Sequence, residues 1–185
     1  MNQALEVIEN RFSCRGYTGE KVEHSLIEQM AQAAMAAPSA LNGQHWRVVF
    51  LNDKAVVDEV SAYALSLMKA MPDQSTYNRI MERGGNPFYN APAIAFVYKE
   101  KGKGAMVDID CGILVQNLSL SATSLGLGNV IAAMVGMIFT GPEGEAFKEK
   151  LHMPENFEFG ISLIFGHGNL TKAPHEKDME KVTYL

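Results

Sequence analysis

Two short segments of this chain carry the side chains best suited to hold a ligand. The first contains Arg11, Ser13 and Arg15, which place two cations around a hydroxyl, and arginine makes paired hydrogen bonds to phosphate oxygens. The second, residues 37–47, is rich in small, hydroxyl and amide residues that could lie against a flat polar ring and bond its edge. Together the segments suggest a phosphorylated aromatic cofactor. Taken singly, each also fits a plainer interpretation, as solvated surface arginines and as a turn between helix and strand.

Several other polar residues have simpler explanations. Cys14 lies between cations that would stabilise a thiolate, but no base accompanies it, which favours a buried inert thiol. Asp108 and Asp110 stand near the start of a predicted long helix, where negative charge is favourable. The glycine pairs at 102–104 and 126–128 lack the spacing of a nucleotide-binding loop. The scattered histidines and cysteines show no metal-ligand spacing, so no metal is expected.

Length and composition predict one soluble domain spanning residues 1–185. The chain is 47% apolar and 20% charged, which is typical of globular proteins. Its net charge of −5 argues against nucleic-acid or anionic-membrane partners. No apolar run approaches the ~20 residues that span a bilayer, and the amino-terminal residues do not form a signal peptide. With only two cysteines, a reduced, cytoplasmic setting is expected.

Hydrophobic periodicity predicts helices packed on a modest sheet. In chain order we expect two helices ending before residue 38, then a strand at 48–51, a helix at 54–71, a strand at 93–98, a long helix at 106–125, a strand at 129–133, a short helix at 143–151 and a strand at 159–165. This order indicates an α+β or α/β sandwich. The long helix is apolar nearly all round, which predicts burial within the domain or across a subunit interface.

Two parts of the chain fall outside this regular pattern. Residues 72–91 combine prolines, glycines and charges, and we interpret them as a mobile excursion with at most one short helix. The tail at 170–185 is polar but returns to apolar residues at its end. Because the tail has no core of its own, we expect it to dock on another surface.

The ordered set of motifs resembles the nitroreductase family of flavin enzymes. The motifs are an Arg-x-Ser-x-Arg opening, an Ala-Pro-Ser-x-x-Asn-x-Gln-x-Trp segment, Ala91-Pro92, Gln116-Asn117, Gly-Leu-Gly at 126–128 and a last strand that ends in glycine. Each motif is weak alone, but the order is specific and covers most of the chain. The resemblance implies an α+β fold, a nitroreductase-like α/β sandwich with a long buried central helix, assembled as an intertwined homodimer.

The resemblance further implies an FMN in each subunit interface and electron transfer from NADH or NADPH, through FMN, to a nitroaromatic compound, a quinone or a related small acceptor. The residues that it implies in FMN binding are Arg11, Phe12, Ser13, Arg15, Pro38, Ser39, Asn42, Val135, Gly136 and Lys177. FMN carries the chemistry, so no side chain is assigned as catalytic. Arg11 would contact the phosphate with support from Ser13. Arg15 would lie at the pyrimidine edge, where a cation stabilises the charge of the reduced ring.

The remaining implied roles divide between the two subunits. Residues 38–42 would come from the other subunit and pack on the ring. The Val135-Gly136 segment would direct backbone amides at the nitrogen that accepts hydride, and Lys177 would be a second phosphate cation. The chain departs from the family pattern at Phe12, where a basic or polar residue is usual, and at His45, where proline is common.

Two alternatives remain at this stage. The same fold and cofactor could serve specialised chemistry, such as reductive dehalogenation or flavin fragmentation, or the chain could be a flavin-binding module without turnover. The sequence leaves open the acceptor, the preferred nicotinamide, the role of residues 72–91 and the reactivity of Cys14.

Overall fold

A computed structural model describes residues 2–185 of the chain as a mixed α+β fold, which confirms the predicted class. Its helices are α1 (Gln3–Asn10), α2 (His24–Met35), α3 (Lys54–Ala70), α4 (Ser75–Glu82), α5 (Met106–Ser124) and α6 (Gly144–Lys150). Its strands are β1 (Trp46–Leu51), β2 (Ala93–Glu100), β3 (Gly128–Ile131) and β4 (Phe157–Gly166). Three 3-10 segments lie at Ala40–Asn42, Ala133–Phe139 and Met179–Lys181.

The four strands form one antiparallel sheet in the order β1-β2-β4-β3. Strand β2 lies at the centre, and its residues 93–98 are buried on both faces. This explains why β2 is a continuous apolar run rather than an alternating one. Short β3 and half-buried β1 form the edges, and the ladder between β2 and β4 shifts register at Val97 and Tyr98.

The alternating side chains of β2 contribute to two separate cores. Ala93, Ala95 and Val97 face one core, which α2 and α5 cover. Ile94, Phe96 and Tyr98 face the other, which is covered by α3, α6 and the 3-10 segment Ala133–Phe139. The result is the predicted sandwich, with a helical layer on each face of the sheet.

Helix α5 is the longest element, but within one chain it is buried along one side only. Its buried residues include Val107, Leu114 and Leu118, which follow helical spacing. Ile109 remains 54% exposed and Ile113 36% exposed. The prediction of burial all round is therefore not met inside the chain. A subunit interface is the remaining explanation that the sequence allowed.

The two irregular parts differ in how far they pack on the core. The excursion at 72–91 contains helix α4, and its Ile80 and Phe88 are buried in the core. The tail beyond residue 168 is exposed throughout, including Val182 and Tyr184. Within residues 2–185 no helix is long and apolar enough to cross a membrane.

Candidate functional site

The segment that carries the first group of candidate residues is attached to the edge of the sheet. Helix α1 ends at Asn10 and is capped by Arg11, whose N–H donates to the Val7 carbonyl at 3.1 Å. Ser13 then forms a parallel bridge with Asn129 on β3, and the Cys14 N–H donates to the Asn129 carbonyl at 2.9 Å. The segment therefore continues the sheet beyond β3, with its backbone fixed beside a short edge strand.

Tyr17 provides a second attachment for this segment. Its buried hydroxyl lies 3.0 Å from the Cys14 carbonyl and 3.3 Å from the Ile164 carbonyl on β4, and can donate to either. Burial raises the pKa of Tyr17 far above its usual value, with smaller contributions from Cys14 and Tyr89. The phenol therefore stays protonated and remains a donor throughout the physiological pH range.

A buried polar network connects the same segment to helix α5. The Asn129 side chain accepts from the Ser119 hydroxyl at 2.6 Å. It donates to the Ser119 carbonyl at 3.1 Å and the Thr123 hydroxyl at 3.0 Å. Asn129 is 1% exposed, and its amide oxygen and amide nitrogen both have partners. Because buried amides are costly when unpaired, this network fixes the position of the segment relative to α5.

Arg15 lines a cavity of about 220 Å³ between this segment, β3 and the excursion. Its guanidinium Nη1 donates to the Ser13 carbonyl at 3.3 Å. The other walls include Pro87, Tyr89, Ala133, Met134 and Ile164. Tyr89 adopts a φ of +57°, a left-handed conformation that is uncommon outside glycine and is frequently found at binding sites. The cavity thus joins one cation to an apolar and aromatic surface.

Two further predicted residues lie near the end of α1. Arg11 is half-buried and makes no ion pair with any carboxylate among residues 2–185. The Lys177 ammonium forms an ion pair with Glu9, the residue two positions before Arg11. The tail therefore brings its predicted phosphate cation to the same helix end as Arg11, although Glu9 already neutralises part of the charge.

The second predicted segment forms a strained loop on the opposite side of the sheet. Leu41, Asn42 and Gln44 have φ values of +52°, +53° and +48°. A non-glycine residue in this region costs about 1–2 kcal/mol. The Gln44 N–H donates to the Ser39 hydroxyl at 3.1 Å, and the Gln44 amide donates to Asn42 Oδ1 at 2.9 Å. Pro38 and Asn42 are exposed, so the loop presents its polar groups to the outside.

The two predicted segments do not meet within one chain. The loop attaches to α5 at Asp110, which accepts from the Ala40 N–H. The first segment attaches to α5 through Asn129 and Thr123, near the other end of the helix. At a rise of about 1.5 Å per residue, these positions are about 20 Å apart along the helix. Each chain therefore presents two separated half-sites.

The remaining predicted residues do not line the Arg15 cavity, and Gly136 lines a separate pocket beside Phe159. Val135 is fully buried, so only its backbone could reach a ligand, and Ala133 and Met134 form the cavity wall instead. A side chain on Gly136 would meet the Phe159 ring at 2.4 Å, which requires glycine there. Phe12 packs against the core. Cys14 is fully buried, in agreement with an inert thiol.

Sequence reasoning missed Tyr89, Asn129 and the contact of Asp110. Asp110 was interpreted as a helix-start charge, but its carboxylate is 3% exposed and faces the core. Its spacing from Val107 and Leu114 was the available signal, because these residues share one helix face. Nothing in the local pattern indicated Tyr89 or the partners of Asn129, since both depend on contacts between distant segments. Among the described residues, no group of three or more His, Cys, Asp or Glu converges to hold a metal.

Comparison with known proteins gives consistent results. The chain matches the model of the nitroreductase family over residues 8–167. A nitroreductase of Desulfitobacterium hafniense, solved with bound FMN, is 42% identical with a TM-score of 0.95, covering 100% of this chain and 99% of that one. The NAD(P)H FMN reductase of Bacillus subtilis is 24% identical over 213 residues, covering 100% of this chain and 76% of the relative. A Bacteroides fragilis nitroreductase shares the fold with a TM-score of 0.86 at 22% identity, covering 100% of each chain.

Proposed function

Since this chain belongs to the nitroreductase family, we propose that it is an FMN-dependent oxidoreductase that carries electrons from NADH or NADPH to a nitroaromatic compound, a quinone or a related small acceptor. The observation that carries the proposal is the full-length similarity to a nitroreductase solved with bound FMN. The name of the Bacillus subtilis relative supports a nicotinamide as electron donor. We take residues 1–185 as a single FMN-binding domain.

The described residues fit the chemistry of FMN, which joins an anionic phosphate to a flat ring with a polar edge. Arg11 offers a cation without a carboxylate partner among residues 2–185, at a helix end that Lys177 also reaches. The cavity beside Arg15 offers Ile164, Met134 and an aromatic side chain as apolar surface. Its volume of about 220 Å³ is small beside the ~300–1,000 Å³ of ligand pockets, which agrees with a site that a second chain completes.

The residues at the phosphate end act through charge. Arg11 binds the phosphate, Ser13 supports that end, and the Phe12 side chain anchors the segment in the core while its backbone faces the site. Charge-assisted hydrogen bonds of this type contribute about 1.5–3 kcal/mol each. Lys177 adds a second cation. Its ammonium either leaves Glu9 to bind the phosphate, or binds Glu9 and the phosphate at the same time.

The residues at the ring end tune the redox chemistry, and FMN, when bound, supplies that chemistry by taking two electrons from the nicotinamide and giving them to the acceptor. Arg15 stabilises the negative charge that develops on the ring during reduction. Its guanidinium is held by the Ser13 carbonyl, which keeps the charge in place. The Val135-Gly136 backbone donates toward the reacting nitrogen. The apolar cavity wall excludes water and strengthens these electrostatic interactions.

The separation of the two half-sites supports a homodimer. A two-fold axis beside α5 would place the start of one helix next to the end of its partner. The loop at 38–42 of one chain would then face the Arg15 cavity of the other, and Pro38, Ser39 and Asn42 would complete the ring site. Two equivalent sites result from one interface, although each chain holds its own halves about 20 Å apart.

Exposed apolar residues lie where this interface is needed. Leu5 and Ile8 of α1 are 56% and 53% exposed, and Ile109 of α5 is 54% exposed. Leu41, in the strained loop, is fully exposed. Apolar side chains concentrated in this way are typical of an interaction surface. The exposed tail at 170–185 docks on the partner in the same assembly, which covers Val182 and its neighbours.

The function can be tested with the purified full-length chain under anaerobic conditions. FMN-loaded protein is titrated with NADH and, separately, with NADPH while the flavin absorbance is followed. Bleaching by either nicotinamide, followed by recovery of colour on addition of a nitroaromatic compound or quinone, is the expected result. Failure of the chain to bind FMN contradicts the proposal. Binding without bleaching contradicts turnover and instead favours a flavin-binding module.

The cellular setting that we propose is the cytoplasm. Cys14 and Cys111 are both free and buried, and burial raises the pKa of Cys111 to about 11. Two free, enclosed thiols suit a reduced compartment.

A further inference from the structure

Asp110 is a buried carboxylate whose only hydrogen-bond donor among residues 2–185 is a single backbone N–H. Its Oδ1 lies 3.1 Å and its Oδ2 3.3 Å from the Ala40 nitrogen, so both oxygens share one hydrogen. The residue is 3% exposed. None of the ion pairs within the described part of the chain involves it. Its neighbour Asp108, two positions earlier, is exposed and pairs with Lys99 at 2.6 Å.

The buried Asp110 carboxylate destabilises the fold if its role is purely structural. A buried charge costs several kcal/mol unless hydrogen bonds or a counter-ion compensate for it. One shared N–H compensates poorly, and an apolar residue at position 110 would continue the face formed by Val107 and Leu114. A role outside core packing therefore explains the carboxylate better.

The bond holds a segment that would otherwise relax. Ala40 immediately precedes Leu41 and Asn42, which both have positive φ. Leu41 makes no compensating contact in the chain, since its side chain is fully exposed. Backbone strain of this kind persists only when surrounding contacts fix it. The Asp110 carboxylate is the contact that connects this strained stretch to the rigid helix α5.

We infer that Asp110 is a positioning residue for FMN binding, which holds the loop at 38–44 in its strained, binding-competent conformation. The inference rests on the proposed function, because the loop supplies Pro38, Ser39 and Asn42 to the ring of the partner's FMN. Asp110 does not itself touch the cofactor. Without Asp110 the loop samples unstrained conformations. The apparent affinity for FMN then falls in proportion to the fraction of molecules whose loop keeps the binding-competent conformation.

The experiment compares FMN affinity with the stability of the FMN-free protein in Asp110→Asn. The variant removes the charge but keeps the shape, and a neutral hydrogen bond is weaker than a charge-assisted one. We expect FMN to bind about tenfold more weakly in a flavin-fluorescence titration. The melting temperature of the FMN-free protein should not fall, and it should rise to the extent that the buried charge is uncompensated. Asp108→Asn is the control, because it removes the same charge from the same helix, and its FMN affinity should match that of the parent protein.

A second substitution tests the strain directly. Glycine adopts positive φ without penalty, so Leu41→Gly should restore part of the affinity lost in Asp110→Asn. By itself Leu41→Gly should change the FMN affinity little, because Asp110 already holds the parent loop in the competent conformation. If Asp110→Asn does not fold, Ala40→Pro decides, because it removes the N–H that donates to Asp110 while the extended Ser39 before it tolerates a proline. Ala40→Pro should bind FMN about tenfold more weakly, and binding like that of the parent overturns the inference. The inference also fails if Asp110→Asn binds FMN like the parent, or loses stability in parallel without rescue by Leu41→Gly. Parent protein that binds no FMN would instead overturn the proposed function.

Discussion

The charge of Arg15 is placed so that it can change the reduction potential of a flavoprotein separately from its affinity for the cofactor. Its guanidinium lines the cavity and is held by the Ser13 carbonyl. A cation at the ring edge interacts mainly with the reduced, negatively charged cofactor and much less with the oxidised one. Arg15 should therefore favour reduction while adding little to the binding of oxidised FMN.

We expect Arg15→Gln to lower the reduction potential of bound FMN while leaving the affinity for oxidised FMN nearly unchanged. A difference of ~1.4 kcal/mol between the two redox states corresponds to about 30 mV for a two-electron couple. Potentiometry of the fully loaded parent and variant measures this shift. Arg79→Gln serves as control, since Arg79 is an exposed arginine on helix α4. An unchanged potential combined with weakened binding would assign Arg15 to the phosphate end.

We expect Arg11 to show the opposite behaviour, because in the proposed site its charge meets the phosphate in both redox states. Loss of one charge-assisted hydrogen bond in Arg11→Ala should weaken FMN binding about ten- to a hundredfold without changing the potential. Equilibrium titration with FMN measures the affinity, and thermal unfolding of the FMN-free protein checks that the fold is intact. Arg83→Ala, at an exposed position after α4, is the matched control. Equal affinities of the parent and Arg11→Ala would show that Arg11 is only a surface cation.

At the scale of elements, Asn129 is the point where α5, β3 and the first segment are joined. Its side chain bonds Ser119 and Thr123, and its backbone bonds Cys14. Asn129→Leu keeps a similar volume but leaves the Ser119 hydroxyl without its partner, whereas the Thr123 hydroxyl still donates to the Ser119 carbonyl at 2.9 Å. Each buried polar group that loses its partner costs about 1–3 kcal/mol.

We therefore expect Asn129→Leu to lower the free energy of unfolding by about 1–3 kcal/mol, measured by urea denaturation of the FMN-free protein. Ser121→Ala is the control on the same helix. The Ser121 hydroxyl bonds only the Leu118 carbonyl within α5, so its removal should change stability by less than about 0.5 kcal/mol. A similar small effect for Asn129→Leu would mean that apolar packing, rather than the network, fixes the segment.

The sequence predicted those elements whose apolar residues recur with a clear period. Helices α2, α3 and α5 and the central strand β2 follow such patterns, and the structure places each within a few residues of the predicted range. The 3-10 segment Ala133–Phe139 has no period to detect, so part of it was interpreted as the end of a strand. The excursion was underestimated because its buried Ile80 and Phe88 are isolated apolar residues among polar ones.

Only those parts of the candidate site that have a distinctive local composition could be predicted from the sequence. The arginines of the first segment and the turn residues of the second are visible in the sequence, and the structure places both groups on accessible surfaces. The parts that fix them in place are long-range contacts, such as Asp110 with Ala40 and Ser13 with Asn129. No local pattern encodes these pairs, since each partner alone has an ordinary explanation.

At the scale of the whole molecule, the geometry of one chain leaves the site unfinished. The two half-sites attach to a rigid helix at Asp110 and Thr123, positions about 20 Å apart, which disfavours one chain bringing both to the same ring. Helix α5 also exposes Ile109 and Ile113, which a polar solvent does not favour. A second copy of the chain, packed against α5 with two-fold symmetry, would account for both observations. Dimerisation and FMN binding should therefore be lost together.

We expect Ile113→Glu to abolish the dimer and FMN binding while the isolated chain still folds. Ile113 is 36% exposed in one chain, so a glutamate costs little there, but in the interface it would bury a charge without a partner. Sedimentation measures the assembly and an FMN titration measures the site. Met81→Glu is the control, since Met81 is 46% exposed on α4, outside the proposed interface, and this variant should remain dimeric and bind FMN. A parent chain that sediments as a monomer with FMN bound would show that one chain completes the site alone. In that case the loop at 38–44 would have to reach the Arg15 cavity by a rearrangement within the chain.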